Sequence, residues 1–133
     1  MSRISIEAAR KRLEFAWSDI DKPIRDLVLV LNVEGFETIM SCAGHRKAET
    51  PAPAFVAFAP MPDSDAYRLT RALESVARRI GAAIKVNGPN VAIGVWIADP
   101  DGGPPNPKIL RRVATMLPSS LEKHAAENPP DVT

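Results

Sequence analysis

Ala83-Ile84-Lys85-Val86-Asn87-Gly88-Pro89-Asn90-Val91-Ala92-Ile93-Gly94-Val95-Trp96-Ile97-Ala98 is the stretch on which the fold class turns. Two strand-like runs flank an Asn-Gly pair, the local signature of a β-hairpin, while Pro89 leaves the turn type open. Along the second run Val91, Ile93, Val95 and Ile97 share one face; Ala92, Gly94, Trp96 and Ala98 share the other. The first face reads as core. The second is small except for one indole. Trp96 is expected to pack against a helix covering that face, as buried indoles do; the alternative is that it stacks on a base or ring.

The segments on either side of the hairpin are helical. Upstream, Ala66, Leu69, Leu73, Val76, Ala77 and Ile80 recur at helical spacing, predicting a helix over 63–80 that Gly81 ends in a left-handed conformation. Downstream, Asp99-Pro100-Asp101-Gly102-Gly103 resembles a calcium loop only superficially. It lacks the later ligands and the distal glutamate, so it reads as a turn. Asn106-Pro107 is a strong helix start, followed by Ile109, Leu110, Val113 and Leu117 at the helical period. Pro118 lacks an amide donor and should break or kink this helix, with Ser119-Ser120-Leu121-Glu122 restarting it as a capping box. His124 is expected at the surface near a helix end, and 127–133 reads as a frayed tail.

The N-terminal part completes the pattern. Ser5 can cap a helix whose stripe is Ile6, Ala9, Leu13, Ala16, Trp17 and Ile20. A second helix should start near Asp21 and bury Ile24, Leu27, Val28 and Leu31, with Val30 and Val33 widening the stripe and Gly35 stopping it. The period then shortens: 37–42 and 55–59 read as strands. The order α-α-β-β-α-β-β-α, with hairpin-length links, predicts an α+β domain. Its four-stranded sheet is antiparallel or mixed, with helices packed on it.

Composition bounds the function. A chain of 133 residues fits one domain spanning 1–133. Seventeen Lys and Arg against 16 Asp and Glu leave +1, so no global field draws in nucleic acid or an acidic membrane. One cysteine excludes an intrachain disulfide and a zinc site built on several thiolates. The N-terminus carries charges where a signal peptide needs an apolar run, and no stretch approaches the roughly 20 apolar residues that span a bilayer. A cytoplasmic location is therefore expected. These totals are compatible with a monomer or a homo-oligomer.

One constellation stands out: Ser41-Cys42-Ala43-Gly44-His45-Arg46-Lys47, where a strand leaves the sheet. The single cysteine lies three residues before one of only two histidines. Cys42 can be a nucleophile whose thiolate is favoured by His45, Arg46 and Lys47. Cys42 and His45 can instead be two ligands of a zinc-like metal, the others coming from His124, Glu37, Glu49 or a partner chain. The third reading is anion binding, with Gly44 turning backbone amides toward the ligand and Arg46 and Lys47 supplying charge. Against all three stands the plain alternative of a small buried cysteine followed by a turn. Arg68, Arg71, Arg78 and Arg79 lie toward the outer side of the helix over 63–80 and could meet phosphates, although a solvated helix face accounts for them equally well.

Leu31-Asn32, Gly35, Thr38, Ser41-Cys42-x-Gly44-His45 and Phe55-Val56-x-Phe58 resemble a pattern in small bacterial and phage proteins that have no assigned activity. The likeness covers residues 24–60. More distantly, Ser41, Cys42 and Gly44 resemble the Ser-Ser-Cys-Ser-Gly-Arg segment of the tRNA wybutosine-synthesis methyltransferases, from which Met40, Ala43 and His45 depart. That likeness implies S-adenosylmethionine and a tRNA partner. No Gly-x-Gly-x-x-Gly fingerprint is present. Three functions follow as expectations. The first is a domain binding a small anionic ligand or a metal through Ser41, Cys42, Gly44, His45 and Arg46. The second is an S-adenosylmethionine-dependent RNA modifier using Cys42 or His45. The third is an accessory or phage-derived interaction protein without site chemistry.

Overall fold

A computed structural model describes residues 3–44, 53–87, 94–100 and 103–125. Ser5 caps α1 (Ile6–Leu13) as its spacing predicts, its hydroxyl accepting from the Ala8 amide at 3.0 Å. The helix ends sooner than the periodicity suggests. The chain passes through a turn and a 3-10 segment at Trp17–Asp19, which still delivers Ile20 to the core. Trp17 is half-buried, with the Arg25 guanidinium 5.5 Å from its ring centroid. A second 3-10 turn, Lys22–Ile24, leads into α2 (Arg25–Val33), and Ile24, Leu27, Val28 and Leu31 are all buried. Gly35, at φ 94°, turns the chain out of α2 in a conformation that a Cβ would strain.

Asn32 is the polar residue buried deepest in this half of the molecule, with no exposed surface. Its Nδ2 donates to Val28 O at 2.8 Å and to Thr38 Oγ1 at 2.9 Å, and its Oδ1 accepts from the Thr38 amide at 3.5 Å. The Leu31-Asn32…Thr38 spacing is thus a structural clamp. It satisfies an amide that would be costly to bury alone, and it fixes where β1 (Thr38–Cys42) leaves α2.

The sheet holds β1, β2 (Ala54–Phe58), β3 (Ala83–Asn87) and β4 (Gly94–Ala98) in the order β1-β2-β4-β3, every pair antiparallel. Its element order and antiparallel sheet are those of the α+β domain expected. The hairpin folds β4 back between β2 and β3, so the edge strand β3 is reached from β2 through α3 (Asp63–Ile80). Residues 88–93, which include Val91, Ala92 and Ile93 of the expected strand, lie outside those described. Gly81 ends α3 at φ 70°. Ala54, Val56, Phe58, Val95 and Ile97 join Leu27, Leu31, Leu69, Leu73, Val113 and Leu117 in one core cluster, which places the helices on one side of the sheet.

α4 (Pro107–Lys123) starts as the sequence predicts, Asn106 Oδ1 accepting from the Lys108 amide at 3.0 Å. It does not break at Pro118, which lies inside a single helix. Leu117 and Leu121 both bury one turn apart, and the Ser120 hydroxyl donates to Ala72 O of α3 at 2.9 Å. Packing on α3 therefore outweighs the amide that Pro118 cannot supply. His124 is also not the surface residue its polar neighbours suggest: it closes α4 and is 7% exposed. Among the described residues no helix is long and apolar enough to cross a membrane.

Candidate functional site

Strand register decides which side chains meet. Cys42 pairs with Phe55, Phe55 with Trp96, and Trp96 with Lys85. Facing residues on antiparallel strands share a face, so these four form a row across the whole sheet on the side away from the helices. Neither Phe55 nor Trp96 belongs to the core cluster. Trp96 thus meets an aromatic ring of the next strand rather than a covering helix. The Phe55 and Trp96 ring centroids are 4.4 Å apart at a 40° tilt.

Gly94 makes room for that pair. A Cβ there would fall 2.9 Å from Phe55 Cε2, closer than carbon atoms approach without something shifting. The Phe55 ring is therefore seated over the bare backbone of β4. β1 contributes a bulge between Thr38 and Met40, where two residues oppose Ala57. Its effect is that Ile39 and Met40 are both 63% exposed. Beside Trp96 lies a cavity of about 450 Å³ lined by Pro53, Ala83, Lys85 and Ala98 among others.

The expected site residues divide. Ser41 pairs with Val56 and so lies on the core side, half-buried; Cys42 stands on the open side, also half-buried. The sulfur is therefore not sealed in the core. Gly44 takes φ 98°, as a tight turn there requires. His45, Arg46, Lys47 and Glu49 lie outside the described residues. Asp21 is a neighbour that the sequence did not point to: its Oδ2 accepts from the Ala43 amide at 3.0 Å. That bond spans 22 positions, and no local pattern signals it.

Of the other candidate metal ligands, Glu37 precedes the opposite end of β1 from Cys42, about 17 Å away by strand geometry. His124 is buried at the end of α4. Among the described residues no three His, Cys, Asp or Glu side chains gather as metal ligands do. Asp99 forms a turn, its amide donating to Gly103 O at 3.0 Å and its carboxylate receiving the Asn106 amide at 3.3 Å.

No family model, curated protein or solved structure matches this chain.

The arginines of α3 have separate surroundings. Arg68 is half-buried rather than outward-facing, its guanidinium 5.4 Å from the Phe36 ring centroid. Arg71 pairs with Glu74 at 3.6 Å. Arg79 lines a cavity of about 320 Å³ between α3 and α4, together with Ser75, Thr115 and Lys123. This group belongs to the helical layer and does not reach the Cys42–Lys85 row.

Proposed function

We propose that the protein is a binding module whose site lies where β1 leaves the open sheet face, and that it takes a small anionic ligand there. The observation that carries this reading is the register of Cys42. The thiol stands beside Phe55 on the face away from the helices, at the start of the Ala43-Gly44 turn. The Ala43 amide donates to the Asp21 carboxylate, which ties the turn to the chain ahead of α2 and fixes where β1 ends. Directly after this turn the sequence places His45, Arg46 and Lys47. A strand that ends in a glycine turn, followed in the sequence by an imidazole and two cations, suits the binding of an anion.

Thermal shift tests this, with inorganic phosphate, zinc and S-adenosylmethionine as separate probes of the full chain. Millimolar phosphate is expected to raise Tm in the native protein and to lose that effect in His45→Ala and Arg46→Ala. Stoichiometric zinc retained in both native protein and phosphate-free buffer would overturn the reading in favour of a metal centre. A shift with S-adenosylmethionine and none with phosphate would overturn it in favour of an enzyme.

A further inference from the structure

We infer that the open sheet face binds unpaired bases of a single-stranded nucleic acid, with Trp96 and Phe55 as the stacking platform and Lys85 meeting the backbone phosphate. This goes beyond the turn at Ala43-Gly44 and rests on different side chains.

The first support is construction. Two aromatic rings from neighbouring strands lie in contact on a solvent-facing sheet, and Gly94 is shaped to let one of them sit down on the backbone. Both rings keep partial exposure. Flat side chains on a four-stranded antiparallel sheet are how proteins commonly hold splayed bases, because every base offers a π-face whatever its identity. The second support is charge. Lys85 carries the only formal charge in the four described strands, and it ends the row that Trp96 belongs to. A cation beside an aromatic platform, with no carboxylate in any strand, complements a ligand that is flat and apolar on one side and anionic on the other.

The third support is size. Strands of five residues and four-strand width give a face of about 17 by 19 Å, or roughly 320 Å² in projection. A stable dimer wants about 800 Å² of accessible surface from each partner, well above what the described strands offer on this face. It matches the two or three bases that such sheets accommodate. Ile39 and Met40, pushed outward by the bulge, extend the apolar margin at the β1 edge.

The test uses fluorescence anisotropy of a labelled heptauridylate with the full chain, alongside quenching of tryptophan emission. Micromolar binding with quenching is expected in the native protein. Trp96→Leu should raise Kd about 10- to 100-fold, as loss of one base stack does. Lys85→Glu should also weaken binding and reduce its salt dependence by about one phosphate contact. Arg79→Glu, in the helical layer, should change neither. Circular dichroism confirms folding of each variant, and Lys85→Glu with native quenching keeps the test decisive if Trp96→Leu fails to fold. Absence of binding at millimolar protein overturns the inference. So does binding that ignores Trp96 and Lys85, or uridine monophosphate binding as tightly as the heptamer. Sedimentation showing a dimer that Lys85→Glu dissociates would assign the face to a second copy instead. The outcomes separate cleanly from those of the turn site: loss of the phosphate shift in His45→Ala reports on the turn, and the part of the quenching that Trp96→Leu removes, with Trp17 left as the remaining emitter, reports on the sheet face.

Discussion

Asn32 shows how one buried polar atom can be mistaken for chemistry. In the sequence it belongs to the same motif as Cys42 and His45, and its type is equally suited to a ligand. Its contacts are structural: one amide nitrogen serves both a helix carbonyl and a strand hydroxyl. Asn32→Ala should therefore cost about 1–3 kcal/mol in urea denaturation, because it strands the Thr38 amide and hydroxyl and empties a fully buried position. Thr38→Val should cost less, and a double-mutant cycle between the two should give about 0.5–1.5 kcal/mol of coupling. Additive effects would refute the clamp. Gly94 makes the complementary case. Gly94→Ala should move the Phe55 ring off β4, alter near-ultraviolet circular dichroism from the Phe55–Trp96 pair, and cost about 1–3 kcal/mol as overpacking does. An unchanged spectrum would show that the pair does not need the bare backbone.

Elements were legible where their signals are local, and the failures are those of non-local forces. The helix over 63–80 and the Asn106-Pro107 start agree with the structure residue for residue, since period, cap and glycine stop all act within a few positions. Pro118 is the counterexample. Its local rule favours a break, and the opposing force comes from α3, through Ser120 to Ala72 O and the burial of Leu117 and Leu121. If packing holds α4 together against its proline, Pro118→Ala restores an amide donor at little cost in contacts. It should then stabilise the protein by about 1–3 kcal/mol, read as a rise in the urea midpoint. Ser120→Ala should cost about 1 kcal/mol. Pro118→Ala destabilising the chain would mean that the proline itself fits a needed bend. His124 failed for the same reason: its neighbours in sequence are polar, while its neighbours in space bury it.

At the scale of the whole molecule the sheet has two unlike sides, and that asymmetry is what makes a site available. Alternation along β4 marked the core face, but the sequence reading put a covering helix over the other face, and the partnership of Trp96 with Phe55 did not follow from it. It depends on β4 inserting between β2 and β3 and on the register of β2 against β4. The position of Cys42 at a strand end was legible; its place in one row with Lys85 was not. Neighbouring residues of β4 test the asymmetry directly. Ile97 is wholly buried among helix side chains, so Ile97→Ala should cost about 2–5 kcal/mol. Trp96 is the larger side chain but stands outside the core cluster, half-buried against one ring. Removing it leaves no enclosed cavity, only the loss of one aromatic contact and part of its burial, so Trp96→Ala should cost about 1–2 kcal/mol. The order matters more than either value. If the tryptophan truncation costs as much as the isoleucine, the open face is covered in solution, and neither a ligand nor a nucleic acid can reach it.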